Sequence, residues 1–324
     1  MNHRNLRRRR KSKQTCHLMK YHYHYISIIL FLAGSFVIFV TFHNTLGAET
    51  ARIPKLRGNH VWIDTNAQLF NQNDVASSAK NLVMVAGHSV IVSGNLEDAG
   101  VDESVWWLLD YQKGQGMPEA IIGHIRAGIE ESDKDPESLL IFSGGQTRSA
   151  TGPLSEGSSY FEVSDAMKLW PKGSTVRART VAEEYATDSF ENLLFSICRF
   201  REVTGRYPEK ITVVSFTFKK RRFETLHAPA LRWPKDKFRF IGYNPPASTG
   251  FNLQRSSVGE QENAVKPFEA DPYGCHSQIL QRKRQERNPF YRTSPYSKTC
   301  PEIVALLDYC GTEFIPRDQV PWGS

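Results

Sequence analysis

Leu82-Val-Met-Val-Ala86, closed by Gly87-His88-Ser89, decides how the rest of the chain is read. Five apolar residues with no polar alternate form a strand buried on both faces, and a glycine directly after it makes an exit loop. The same pattern returns at Leu139-Leu-Ile-Phe142 before Ser143-Gly144-Gly145, and residues 211–218 and 238–242 read as a third and a fourth strand. Helical patterns lie between these runs. Pro118 opens one with Ile121, Ile122, Ile125 and Ile129 on one face, and residues 156–169 form a second. Asp188-Ser-Phe-Glu191 is a capping-box-like start for a third, which carries Leu193, Leu194 and Ile197 and is closed by Gly205. Strands that alternate with helices imply βαβ crossovers, hence a three-layer α/β fold around a mostly parallel, Rossmann-like sheet. Such sheets bind ligands beyond the carboxyl ends of their strands.

Working outward, residues 26–42 form an uncharged apolar run, just long enough to cross a thin membrane. Tyr21, Tyr23 and Tyr25 precede it as an interfacial belt, and residues 1–25 are strongly basic. The positive side stays cytosolic, so the expected arrangement is a single-pass type II membrane protein of the ER or Golgi with a lumenal domain. Leu46-Gly47-Ala48 is a poor cleavage site, which favours an anchor over a removed signal peptide. The whole chain carries +7, but residues 1–48 alone carry +8 and no acid, which leaves the remainder at −1. A near-neutral domain has no field to hold a polyanionic strand, so nucleic acid is set aside as a partner.

Residues 43–80 are expected to be a stalk, 81–243 the α/β domain, and 244–324 a proline-rich extension packed on it. In that extension only residues 303–310 look helical, and Arg282-Lys-Arg284 and Arg287 make it locally basic. Cys275, Cys300 and Cys310 fall there; a lumenal location predicts at least one disulfide among them, with the pairing open. Cys198 falls on an apolar helix face and is expected as a packed thiol.

The candidate site gathers at the strand exits. Gly87 and the Ser143-Gly144-Gly145 turn are expected to bring backbone N–H groups to an anion. Lys219 and Arg222, straight after a strand, are the expected anion clamp. Glu156 and Glu183 are candidates to activate water or to hold a divalent metal, a cofactor question the sequence leaves open. His88, in the first exit loop, is the candidate acid or metal ligand. His124, beside Ile121 and Ile125, is expected to pack, and His227 to face solvent. Trp106, Trp107, Tyr111 and Gln112 are candidate sugar-pocket residues, with at least one tryptophan expected in the core.

Ser143-Gly-Gly, Ser155-Glu156, Glu183 with Asp188-Ser-Phe-Glu-Asn192 behind it, and a strand leading to Arg222 together resemble the DUF 218 domain family. The resemblance spans roughly residues 81–243, about half the chain. Bacterial members usually carry Glu-x-x-Ser-x-Asn-Thr-x-Glu-Asn. Here Glu183, Glu191 and Asn192 match, while Ala186, Asp188 and Ser189 replace the Ser, Asn and Thr. Lys219 stands where the family has a His, three residues before Arg222. The resemblance implies membrane attachment and a role in glycan or envelope metabolism, with Asn192 among the binding residues.

Three functions follow as expectations. The first is a hydrolase of phosphoester or diphosphate bonds in a lipid-linked or phosphorylated sugar. The second is a nucleotide- or S-adenosylmethionine-binding protein or transferase, although no Gly-x-Gly-x-x-Gly follows the first strand. The third is a lumenal glycan-binding or scaffold protein without catalysis.

Overall fold

The computed structural model describes residues 75–322 apart from Ser93. The basic tail 1–25, the apolar segment 26–42 and most of the stalk lie outside the described residues. No described helix is long and apolar enough to cross a membrane.

Five strands build one all-parallel sheet: β1 (Asn81–Ala86), β2 (Ser138–Ser143), β3 (Thr180–Glu183), β4 (Lys210–Ser215) and β5 (Phe238–Gly242). Their order is β3-β2-β1-β4-β5, which puts β1 at the centre and reverses the winding between β1 and β4. Met84 lies opposite Ile141 on one side and Val213 on the other. The uninterrupted apolar run of β1 is explained by its two faces. Val83 and Val85 pack with Ile121, Ile125 and Tyr160, while Leu82, Met84 and Ala86 pack with Phe190, Leu193 and Ile197. The first set comes from helices α1 (Met117–Lys134) and α2 (Glu156–Ala166), the second from α3 (Ser189–Thr204). The architecture is three-layer α/β. Asp188 caps α3 by accepting from the Glu191 N–H at 2.9 Å, and Gly205 ends it at φ 74°.

The chain departs from the sequence pattern in four places. Thr180–Glu183 is a short edge strand whose mixed polarity gave no periodic signal. Strand β4 stops at Ser215, and Thr217–Lys219 turns as a 3-10 helix, which swings Lys219 back over the sheet edge. The extension is more helical than its prolines imply. Helix α4 (Leu253–Glu260) runs through a π-helical stretch, Gln261–Val265, into Lys266–Ala270, and α5 (Gln278–Glu286) follows. Residues 303–310 instead hold only short turns, Pro301–Ile303 and Val304–Leu307. Phe268, Tyr273, Leu280, Tyr296, Ile303 and Leu306 of the extension join the α3-side core. Finally, His227 does not face solvent. It is fully buried, with Nε2 2.8 Å from Ser189 Oγ and its ring edge-on to Phe223 and Phe268. Cys275 and Cys310 form a disulfide, and Cys198 and Cys300 are buried free thiols.

Candidate anion-binding and catalytic site

Parallel strands deliver all their exits to one edge, and a cavity of about 730 Å³ opens there. Gly87, His88, Glu156, Asn192, Lys219 and Arg222 line it. Ser143, Gly144, Gly145 and Glu183 do not reach it; they lie behind its floor.

The glycines act by absence. A Cβ on Gly87 would stand 2.6 Å from the Glu156 Cβ, and one on Gly144 would stand 2.7 Å from it. The two exits therefore form a slot that fits only because both lack side chains. Helix α2 starts in that slot. Ser155 caps it by accepting from the Ser158 N–H at 2.9 Å, and Glu156 occupies its first turn. Thr147 Oγ donates to Glu156 Oε1 at 2.6 Å and fixes the carboxylate toward the cavity. The expected anion-binding N–H groups are already engaged. Gly144 N–H donates to the Glu183 carbonyl at 3.0 Å and Gly145 N–H to the Ala186 carbonyl at 2.7 Å. Gly144 and Gly145 shape the site and do not hold the ligand.

Glu183 is likewise a prop. It is fully buried and accepts from Ser143 Oγ at 2.7 Å, from the Tyr185 N–H at 2.7 Å and from Tyr296 OH at 3.2 Å. Burial pushes its pKa up to about 7 against those hydrogen bonds. Asn192 closes the network, donating to the Ser143 carbonyl at 3.0 Å and to Ser143 Oγ at 2.9 Å. Ser143 and Glu183 are fully buried, bond one another and are not part of the cavity wall, so the structure places them behind the site and not in it.

His88 is held at three points. Its backbone N–H donates to Tyr160 OH at 3.0 Å, its Nε2 lies 3.3 Å from Ser215 Oγ, and its Nδ1 lies 3.2 Å from Lys219 Nζ. A lysine ammonium only donates, so Nδ1 accepts and Nε2 carries the ring proton. Burial first, then the Lys219 charge, holds the imidazole well below its usual pKa. His88 is thus a neutral imidazole that accepts from Lys219. His124 packs edge-on against it, its centroid 5.2 Å away, and burial pulls its pKa down to about 3. The Lys219 amine faces the His88 acceptor. Burial, then Arg222, pulls its pKa down to about 7.

The rest of the cavity is cationic, and much of it comes from the extension. Arg148, Lys283 and Arg287 line it with Lys219 and Arg222. Burial, then Arg287 and Arg222, brings Lys283 down to about 8. Burial is also the main cause holding Arg148 and Arg222 below their usual values, with Arg287 pushing the same way. Arg222 has a carboxylate within ion-pair distance, Glu260 Oε1 at 3.1 Å from Nε, in a buried pair not aligned as a hydrogen bond. Among the described residues Arg148 Nε, also buried, finds no hydrogen-bond partner. Lys220 and Arg221 turn away toward Glu224 and Glu269. Trp106 belongs to the core, where its indole N–H donates to the Ala99 carbonyl at 2.8 Å, while Tyr111 and Gln112 line the cavity. Among the described residues no three His, Cys, Asp or Glu side chains are grouped to hold a metal ion.

The chain is similar to the uncharacterized protein YOR238W of Saccharomyces cerevisiae, with 29% identity over 305 residues that cover 75% of this chain and 97% of the relative. No family model matches the chain, and no solved structure matches it.

Proposed function

We propose that the protein is a hydrolase of a phosphoester or diphosphate bond, with a phosphorylated sugar as the substrate class. The observation that carries this reading is the set of cations around one cavity. Burial first, and then the neighbouring Arg287 and Arg222 charges, hold Arg148, Lys219, Arg222 and Lys283 below their usual values, and Glu156, Asp188 and Glu260 offset this only in part. Buried like charges are costly unless an anion neutralises them, and a diphosphate supplies several negative charges in that span. The cations hold the phosphate oxygens and stabilise the charge that develops on them. Glu156, fixed by Thr147, takes a proton from a water as its oxygen attacks phosphorus. Lys219 gives its proton to the leaving oxygen as the P–O bond breaks, and a pKa of about 7 suits that task. His88 orients Lys219 and accepts its hydrogen bond.

The resemblance to DUF 218 proteins and the apolar segment 26–42 support a membrane-anchored lumenal enzyme of glycan metabolism. The Cys275–Cys310 disulfide supports an oxidising compartment. The test is product release from a panel of sugar phosphates and diphosphate-linked sugars, including a polyprenyl diphosphate sugar, followed by mass spectrometry. The reading expects release that Glu156→Gln reduces by about 10²–10⁴-fold. Undiminished turnover in that variant contradicts it.

A further inference from the structure

The cavity has a second wall, and it is flat. Phe216, Phe218 and Phe251 line it beside the cations. Their rings are nearly parallel: Phe216 and Phe218 lie 5.1 Å apart at 22°, Phe216 and Phe251 5.9 Å apart at 12°, and Phe218 and Phe251 6.4 Å apart at 22°. In a column the outer two rings would be twice as far apart as neighbours. Three similar separations instead describe an offset terrace of rings that share one orientation, in which Phe216 is buried under the His88 ring, 4.9 Å away, and Phe218 and Phe251 are the partly exposed steps. The terrace abuts the anion half, because Lys219 Nζ stands 5.5 Å from the Phe216 centroid and 6.0 Å from that of Phe218.

Polar side chains share this lining: Gln112, Gln115, Ser256 and Asn263. Each amide spends part of its capacity on the backbone, Gln112 accepting from the Leu109 N–H at 2.9 Å, Gln115 donating to the Gly114 carbonyl at 3.2 Å and Asn263 donating to the Gly259 carbonyl at 3.0 Å. A saturated or isoprenoid chain would pack on the rings but would cover the remaining amide hydrogens and the Ser256 hydroxyl without pairing them, which is unfavourable. A heteroaromatic ring meets both demands, with its face on the phenyls and its edge toward the amides. The cavity volume, about 730 Å³, lies in the range that encloses a small molecule. It also lies where the winding of the sheet reverses, between the exits of β1 and β4.

We infer that the ligand is a nucleoside diphosphate or its sugar ester, with the diphosphate among Arg148, Lys219, Arg222, Lys283 and Arg287 and the base on the Phe216–Phe218–Phe251 terrace. This rests on the diphosphate-hydrolase reading and names the organic half of its substrate.

The experiment is calorimetric titration of the full chain with inorganic pyrophosphate, UDP, ADP and geranyl diphosphate. The expected result is that at least one nucleoside diphosphate binds about tenfold or more tighter than pyrophosphate. Phe251→Leu, which keeps apolar bulk but loses the flat face, then removes that advantage and leaves pyrophosphate affinity in place. Phe251→Ala repeats the test with the ring fully removed. Equal affinity for pyrophosphate and both nucleotides overturns the base subsite and leaves the anion site standing. Geranyl diphosphate as the tightest ligand overturns it in favour of an apolar tail. No binding of any diphosphate overturns both this inference and the hydrolase reading.

Discussion

Lys219 Nζ lies 3.2 Å from Nδ1 of His88, and that contact divides the labour of the site. The imidazole is neutral and receives; the amine, in a recess of like charges, carries a proton it holds loosely. His88 comes from the exit of β1 and Lys219 from the turn after β4, so the contact joins two strand exits.

Replacing Lys219 with methionine is expected to stabilise the free protein. In the unfolded chain this lysine stays protonated to about 10.5, in the folded cavity only to about 7. Between those values the unfolded state binds more protons, so this group makes stability rise with pH across that window. Lys219→Met removes the slope and gains roughly 1–3 kcal/mol below pH 7, discounted because the amine still meets cavity water. Melting temperatures of both proteins from pH 6 to 10 check this, and a variant less stable than wild type at pH 6 contradicts it.

Anion binding is expected to follow Lys219 and Lys283 with the opposite dependence on pH. A bound diphosphate favours their charged forms, so affinity falls as pH rises through about 7 for Lys219 and about 8 for Lys283. The predicted loss between pH 6 and pH 9 is about tenfold or more, with net proton uptake on binding at pH 8. Titrations in buffers of different ionisation enthalpy measure the uptake directly.

Gly144→Ala tests the slot. Its methyl would stand 2.7 Å from the Glu156 Cβ and must displace the carboxylate. The cost to stability is about 1–3 kcal/mol. The cost to kcat is on the order of 10²-fold if Glu156 is the base, since small misplacements weigh heavily on catalysis. Unchanged kcat in a folded variant would remove Glu156 from the mechanism.

Glu183→Gln separates prop from catalyst. Loss of a general base lowers rate by about 10²–10⁴-fold, whereas a carboxylate behind the floor should change kcat by no more than a few-fold. Its stability signature is also distinct. The folded pKa, about 7, lies above the usual 4.5, so the folded state binds more protons between them and stability falls as pH rises through that window. The variant lacks that fall, which thermal scans from pH 4.5 to 8 would show.

The sheet was largely legible because β1 and β2 bury both faces and so carry unbroken apolar runs, and β4 keeps the β-branched Ile211, Val213 and Val214 around Thr212. Lys219, Arg222, His88 and Glu156 were legible as residues just past strand exits or at a helix start. The misassigned glycines trace to one missed element. Gly144 looked like a free N–H donor only because β3, whose Glu183 carbonyl accepts it, is too short and too mixed to leave a pattern. Lys283, Arg287 and Glu260 were missed for a different reason. Their basic or acidic character is plain, but what aims them at the cavity is tertiary. Leu280 and Phe268 join the α3-side core, and the disulfide ties the segment before α5 to Cys310. No local periodicity encodes that docking.

The most direct test of the cationic cavity is pyrophosphate affinity of the full chain against a variant carrying Lys283→Ala and Arg287→Ala, at low and moderate salt. The predicted result is saturable binding by wild type that weakens with salt and falls by about tenfold or more in the variant. Binding that is absent, or equal in both proteins, would contradict the claim that this cavity is built for a polyanion.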